Sequence, residues 1–429
     1  MGNRGNITTK RYAIESELGV ISTKSHRAAR EKETIYDSSK ELFEEVSSRE
    51  KFKSIRFKEL ALDYSTDMSV RDASRRLNRI RHESTTKGVR AGISAQTYRN
   101  TVEREGMEIE AAMEKKCIES LCSNGFNSDG EMLESNEFNE LDSKFTPEES
   151  KYMQIEAIGT AAAELNLKNK VYVADYESPE NAVNISVDDV GVDRQTEVRP
   201  RGEEEQPKRV NNSVVHVESD DRKYILKSSN VFGVLRLLLG FLLRGGLLKK
   251  QLVFFTDGAR EIHNAISRMF AFANYKIILD WYHLQKKCKE QLSMGLKGSK
   301  IRNEFLDELL PCLWFGNIDG SISLLQNIDS KKVKSPEFIA KLAEYFERVR
   351  EFIPCYALRK ELGLRNSSNL GEKSNDLIVS SRQKHNGMSW SDDGSHAFAS
   401  VAAALCNNEL EQWLHANSLS FKLSKPVAV

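Results

Sequence analysis

The sequence predicts an α/β fold, and three observations carry that prediction. First, NISVDD, QLVFFTD and NYKIILD are short apolar runs rich in β-branched and aromatic residues, the signature of buried strands, and each ends in an acid. Second, SVVHVES and RKYILKS alternate with the period of two expected of strands that face a core on one side. Third, segments of helical period separate the runs: VFGVLRLLLGFLLR from Val231, then EIHNAISRMFAF, then WYHLQKKCKEQL. From Val183 onward the order is therefore β, β, β, α, β, α, β, α.

Bulk properties limit the function classes. A chain of 429 residues with 39% hydrophobic content has room for two or three domains and at least one sizeable core. Its longest apolar stretch, VFGVLRLLLGFLLRGGLL, is interrupted by Arg236, Arg244 and a glycine pair. It falls short of the roughly 20 apolar residues of a membrane span, so it is expected to be a core helix. The opening MGNRGNITTKRYAIE lacks the apolar region of a secretory signal. The six cysteines, Cys117, Cys122, Cys288, Cys312, Cys355 and Cys406, show no CxxC pairing. Neither a disulfide framework nor a zinc knuckle is expected, and a reducing cytoplasm fits.

Zero net charge hides an uneven distribution. Residues 1–105 carry 22 Lys+Arg against 16 Asp+Glu, residues 106–220 carry 11 against 26, and the remainder carries 30 against 21. The basic segments are candidates for phosphate contact.

Taken in order, residues 1–105 are expected to be mostly helical. Leu60 and Leu62 precede an STD stop, Ser69 caps a helix carrying Val70, Ala73, Leu77 and Ile80, and Ser94 caps another carrying Tyr98 and Val102. This arrangement resembles a helix-turn-helix unit, with an ordinary charged helical bundle as the alternative. In the first reading Gln96, Arg99 and Asn100 meet bases or phosphates, while Arg75, Arg76, Arg79 and Arg81 approach the backbone. Residues 106–182 read as an acidic helical connector. Residues 183–292 hold the first part of the α/β core, residues 293–360 an all-helical insertion, and residues 361–429 the last part of the core with a C-terminal tail.

The acids are the informative feature. Burying an ionised carboxylate is costly unless a partner or a cation offsets it. Asp188, Asp257 and Asp280 each fall at the carboxyl end of an apolar run, where open α/β sheets hold their ligands. Carboxylates gathered on one edge repel each other unless a cation sits between them, and oxygen-only donors suit Mg²⁺ or Mn²⁺. A fourth acid, Glu372, follows Gly371 at the start of a helix whose Leu377, Ile378 and Val379 are placed to pack on the sheet.

The element order is that of the ribonuclease H fold. With it, VDD, TDG, LDWYHL and NLGEKSNDLIVSSRQKHNGMSWS appear in sequence over Val183–Asn407, about half the chain. Together they resemble the catalytic core of bacterial insertion-sequence transposases of the DDE type, nearest to those similar to the Mutator-like group. The resemblance implies a divalent-metal-dependent DNA transposase whose catalytic and metal-binding acids are Asp188, with Asp189 as its rival, Asp257 and Glu372. The Asp-x-x-His element of the group matches Asp280 and His283, the histidine being either a phosphate contact or a structural cap. Two Mg²⁺ or Mn²⁺ ions are implied as cofactors. Double-stranded DNA, both terminal inverted repeats and target, is the implied partner, with a homodimer or larger assembly forming on it in a bacterial, nucleoid-associated setting. Near the glutamate, Arg365, Lys373, Arg382, Lys384 and His385 are cationic candidates for the DNA backbone. Trp390 is a candidate for base stacking or for core packing. The competing readings are a non-catalytic DNA-binding protein derived from a transposase and a ribonuclease H-like nuclease.

Overall fold

A computed structural model describes residues 6–16, 19–30, 33–37, 52–80, 92–134, 156–161, 163–164, 176–177, 179–195, 207–367, 373–384 and 388–425. The chain divides into two compact units that interleave in sequence. The first comprises Met1–Ala112, Val192–Val210 and Leu377–Ser420, and the second comprises Met113–Gly191, Asn211–Asp376 and Phe421–Val429. Mixed α/β architecture is thus what the sequence leads one to expect.

In the first unit, strands β1 (Asn6–Ser16), β2 (Gly19–Arg30), β3 (Glu33–Asp37) and β4 (Phe52–Lys53) form a four-stranded sheet of order β3-β2-β1-β4. β1 and β2 pair antiparallel from Asn6 opposite Ala29 to Ser16 opposite Gly19. The expectation of a mostly helical N-terminal region is therefore corrected for residues 6–37. The β-branched residues Ile7, Thr8, Thr9, Val20, Ile21 and Thr23 favour an extended backbone, and a near-local hairpin gives that preference a partner.

Three helices follow, α1 (Ile55–Asp67), α2 (Val70–Ile80) and α3 (Ala95–Ser123), with α1 running on through Ser65, Thr66 and Asp67, where the sequence leads one to expect its stop. Their starts are set by hydroxyl caps. Ser54 Oγ accepts from Phe57 N at 3.1 Å, Ser69 Oγ from Asp72 N at 3.1 Å and Ser94 Oγ from Thr97 N at 3.0 Å. Phe57, Ala61, Leu62, Ala73, Leu77, Tyr98 and Val102 are fully buried. Tyr98 Oη donates to Ala61 O at 2.6 Å, tying α3 to α1. The helices α11 (Asp392–Cys406) and α12 (Leu410–Ala416) complete this unit. α3 lies so close to α11 that a Cβ on Gly106 would stand 2.2 Å from Ala397 O, which only glycine permits.

The second unit is built on a five-stranded sheet of order β7-β6-β5-β8-β9. Its strands are β5 (Ala182–Asp193), β6 (Arg209–Ser219), β7 (Arg222–Ser228), β8 (Gln251–Thr256) and β9 (Tyr275–Leu279). β6 and β7 pair antiparallel and turn through Asp220 and Asp221, both at positive φ (51° and 58°). That is the requirement of a type I′ hairpin turn, and Asp is among the few residues that meet it. β5 pairs parallel with β8, and β8 parallel with β9.

Crossover helices α4 (Val231–Arg244) and α5 (Arg260–Met269) link β7 to β8 and β8 to β9. The apolar stretch from Val231 is the core helix expected. Val234, Leu235, Leu237, Leu238, Leu239, Phe241 and Leu242 of α4 are buried, each leucine contributing roughly 2 kcal/mol over exposure. Arg236 interrupts the run without cost because its guanidinium reaches Glu114 at 2.5 Å and Ser128 O at 2.8 Å. All six cysteines are free, as expected; Cys117 is buried against α4 and Cys122 exposed.

After β9 come α6 (Trp281–Gly295), α7 (Ser299–Trp314), α8 (Ile318–Gln326), α9 (Pro336–Arg348) and α10 (Tyr356–Glu361). The insertion read from residues 293–360 is helical in the structure. Its Leu309, Leu313, Leu342 and Phe346 share one core with Leu284, Cys288 and Leu292 of α6 and with Val253, Phe255 and Leu279 of the sheet. Residues 373–383 are helical, with a π-turn over Asp376–Ser380. Among the described residues no helix is long and apolar enough to cross a membrane.

Candidate active site

Strand register brings the acids together. Ser186 of β5 lies opposite Phe255 of β8, the last pair of that ladder, and just beyond it Asp188 on β5 and Asp257 past the end of β8 line one cleft. Thr256 pairs with Leu279 of β9, and Asp280 N donates to Thr256 O at 2.9 Å, so the third aspartate reaches the same edge. The edge has a topological reason to bind ligands. From β5 the chain builds outward through β6 and β7, then crosses by α4 to the other side of β5, so the crevice between β5 and β8 is a switch point of the sheet. A narrow cleft opens there, lined by Ser186, Val187, Asp188, Val214, His216, Phe255, Thr256, Asp257, His283 and Asn375.

Asp188 and Asp189 diverge because successive strand residues face opposite sides. Asp188 enters the cleft. Asp189 is exposed, and its Oδ1 accepts from Ser213 Oγ at 2.7 Å. One expectation is corrected here: Asp188 does not close its strand, since β5 runs on to Asp193. What ends at this level is the pairing with β8.

Both oxygens of Asp188 are held. Oδ1 accepts from the Asp189 N–H at 2.9 Å, and Oδ2 accepts from the Asn375 side-chain amide. Burial pushes its carboxyl above the usual range, and the charge of Asp257 adds to the rise, whereas His283 and the two donors pull it down. Asp257 Oδ1 accepts from Ala259 N at 2.9 Å. The intervening Gly258 adopts φ +86°, and a Cβ there would lie 3.1 Å from Leu279 Cδ1 and from Tyr345 Oη, so the TDG turn depends on glycine. Thr256 Oγ1 is 2.7 Å from His263 Nε2.

The two members of Asp-x-x-His part company. Asp280 is buried and caps α6, its Oδ1 accepting from Tyr282 N at 2.7 Å and His283 N at 3.1 Å. It stands at the sheet edge but is not among the residues that line the cleft. His283, one turn into the helix, does line the cleft.

Two residues unforeseen in the sequence also face it. Asn375 bonds Asp188 as above, and His216 of β6, 3% exposed, places Nδ1 2.9 Å from Ser374 Oγ. Burial, helped by Lys223 and Arg365, pushes the His216 imidazole down to about 4, so it is neutral near pH 7. A histidine inside the alternating apolar run SVVHVES was the available signal. Glu372, the expected third catalytic acid and metal ligand, lies outside the described residues, as do Arg81 and His385. Among the described residues no group of three or more His, Cys, Asp or Glu side chains is arranged to hold a metal ion. The donors the cleft does offer, the carboxylates of Asp188 and Asp257, are of the oxygen type that Mg²⁺ and Mn²⁺ prefer.

The expected DNA contacts sort by exposure. Arg75, Arg76, Arg79, Gln96, Asn100 and Lys384 are exposed. Arg76 lies over the Tyr64 ring at 5.1 Å, and Gln96 donates to Asn100 at 2.6 Å. Arg99 is half-buried, bonded to Glu103 at 2.7 Å and Ser391 at 3.2 Å. Arg365 is engaged with Glu218. Arg382 is corrected as a DNA contact because it is buried, and Trp390, also buried, takes the core-packing alternative. The Arg382 guanidinium donates to Ser65 O at 3.0 Å and stacks 5.1 Å from Trp390 and 5.6 Å from Phe398. Neither side chain has a surface to offer a nucleic acid. No family model, no curated protein and no solved structure matches this chain.

Proposed function

We propose that the chain is a DDE-type DNA transposase acting at the ends of an insertion sequence through a ribonuclease H-like core. The observation that carries this reading is the cleft at the switch point, lined by Asp188 of β5, by Asp257 just past the end of the adjacent parallel strand β8, and by His283. Strand order supports the ribonuclease H-like assignment. The first strand of the core is central, the next two follow outward on one side with an antiparallel hairpin, and the last two lie parallel on the other side.

In this reading Asp188, Asp257 and Glu372 hold two Mg²⁺ or Mn²⁺ ions. When bound, such ions supply Lewis acidity at a phosphodiester and lower the pKa of a coordinated water. Asn375 and the Asp189 N–H fix the plane of the Asp188 carboxylate, while the Ala259 N–H fixes Asp257. His283, in the lining of the cleft, would contact the oxygens of the scissile phosphate. Water would attack one phosphodiester and break its P–O3′ bond, leaving a 5′-phosphate and a free 3′-OH; that 3′-OH would attack a target phosphodiester in line and displace the target's own 3′ oxygen, with no covalent enzyme intermediate.

The test is cleavage by the full-length protein of duplex DNA carrying the inverted repeats that flank its gene, in Mg²⁺ or Mn²⁺. A cut at the repeat ends is expected, and Asp257→Asn should abolish it while leaving duplex binding intact. Cleavage that persists in Asp257→Asn overturns the assignment, and cutting indifferent to the repeat ends favours a ribonuclease H-like nuclease instead.

A further inference from the structure

We propose that His216 is a positioning residue of the carboxylate cleft, acting through Ser374 to hold Asn375 against Asp188. The inference rests on the metal-site reading above and adds a residue to it. Three observations meet. The His216 side chain is buried in the lining of the cleft, its Nδ1 sits 2.9 Å from Ser374 Oγ, and the next residue, Asn375, donates to Asp188 Oδ2. A histidine on β6 thus fixes the start of the 373–383 helix, and that start carries the donor that orients an acid on β5.

Packing alone does not account for a histidine at this position. β6 presents His216 on the same face as Val214, and an apolar side chain there would fill the space without a desolvated polar atom. Instead His216 Nε2 is buried and, among the described residues, without a hydrogen-bond partner; the Oε2 of Glu218 lies 4.0 Å away, and that carboxylate is engaged by Arg365. An unpartnered buried polar atom costs free energy. The sequence keeps it, and what the imidazole contributes in return is the Nδ1 contact with Ser374. Groups that orient a carboxylate ligand through a hydrogen bond typically alter metal affinity about 10–100-fold when lost.

The experiment measures Mn²⁺ binding to the full chain, without DNA, by the electron paramagnetic resonance signal of the free ion. Four variants are compared with the parent protein, each checked for folding by its thermal melt. His216→Leu keeps the bulk but deletes the hydrogen bond, and Ser374→Ala deletes the same bond from the other side with little change of volume. His216→Asn restores an amide close to the Nδ1 position, and Asp257→Asn reports on the cleft itself. Mn²⁺ affinity about tenfold weaker or more in His216→Leu and Ser374→Ala, with most of the loss recovered in His216→Asn, supports the proposal. Should His216→Leu not fold, Ser374→Ala and His216→Asn still decide the matter. Parent-like Mn²⁺ binding in Ser374→Ala overturns the positioning role alone, because Asp257→Asn then remains the weakened variant. A parent protein that binds no Mn²⁺, or binds it equally after Asp257→Asn, removes the metal site and the positioning role together.

Discussion

Replacing Glu177 by Gln tests the buried ion pair that anchors the chain near the cleft. Arg359 and Glu177 are almost wholly enclosed, with side-chain exposures of 1% and 0%. Both carboxylate oxygens accept from the guanidinium, one of them at 2.8 Å, and the same guanidinium donates to Arg365 O at 3.0 Å from Nε and 2.8 Å from Nη2. The next residue, Asn366, accepts the first N–H of α6 from Trp281 at 3.1 Å. Gln in place of Glu keeps one acceptor but turns an amide donor toward a buried cation that no longer has its counter-charge. Removing one partner of such a pair typically costs about 3–5 kcal/mol. Urea denaturation at pH 7 should therefore show Glu177→Gln destabilised by that amount. The double variant Glu177→Leu/Arg359→Met should lose less than Glu177→Gln, since it leaves no orphaned charge. A loss below about 1 kcal/mol for Glu177→Gln, in the range of exposed pairs, would refute the claim that this charge pair is desolvated and structurally required.

Two further outcomes follow from the site. The His216 imidazole titrates near 4 when folded, against about 6.5 when exposed. Below pH 6.5 the unfolded chain takes up a proton that the folded chain does not, so stability should fall between about pH 6.5 and 4 by roughly 3 kcal/mol, and level off below that; urea midpoints across this range should lose that component in His216→Asn. Asp280→Ala deprives the Tyr282 and His283 N–H groups of their acceptor and should cost about 1–2 kcal/mol by urea melt, with Asp280→Ser recovering most of it. If Asp280→Ala and Asp280→Ser melt alike, the carboxylate's place is not that of a helix cap.

Much of the second unit was legible along the chain because its signals are local. Apolar run length, β-branched content and helical period each depend on residues within a few positions of one another, which is why β5 through α6 appear in the expected order. The acids at the sheet edge could be found for the same reason. The N-terminal hairpin was harder to read: Lys10, Arg11, Lys24, His26 and Arg27 break up the alternation along β1 and β2, leaving β-branched content as a weak local preference that the hairpin partner turns into structure. The same limit affected the basic residues. Nothing near Arg382 in sequence shows that Ser65 and Phe398 will enclose it, so its charge alone suggested a surface that it does not have.

The sequence by itself determined the α/β class of the core, the helical insertion after it, the capped starts of α2 and α3, and the arrival of acids at the ends of β8 and β9. Tertiary structure alone decided which acids share a space. Asp188 turns into the cleft while Asp189 turns to Ser213, Asp280 is consumed as a helix cap, and His216 and Asn375 join from β6 and from the 373–383 helix. The physical reason is one of range. Backbone preferences and hydrophobic period act over one or two turns of chain, whereas the facing of Asp188 depends on strand register and on a donor, Asn375, 187 residues away in sequence.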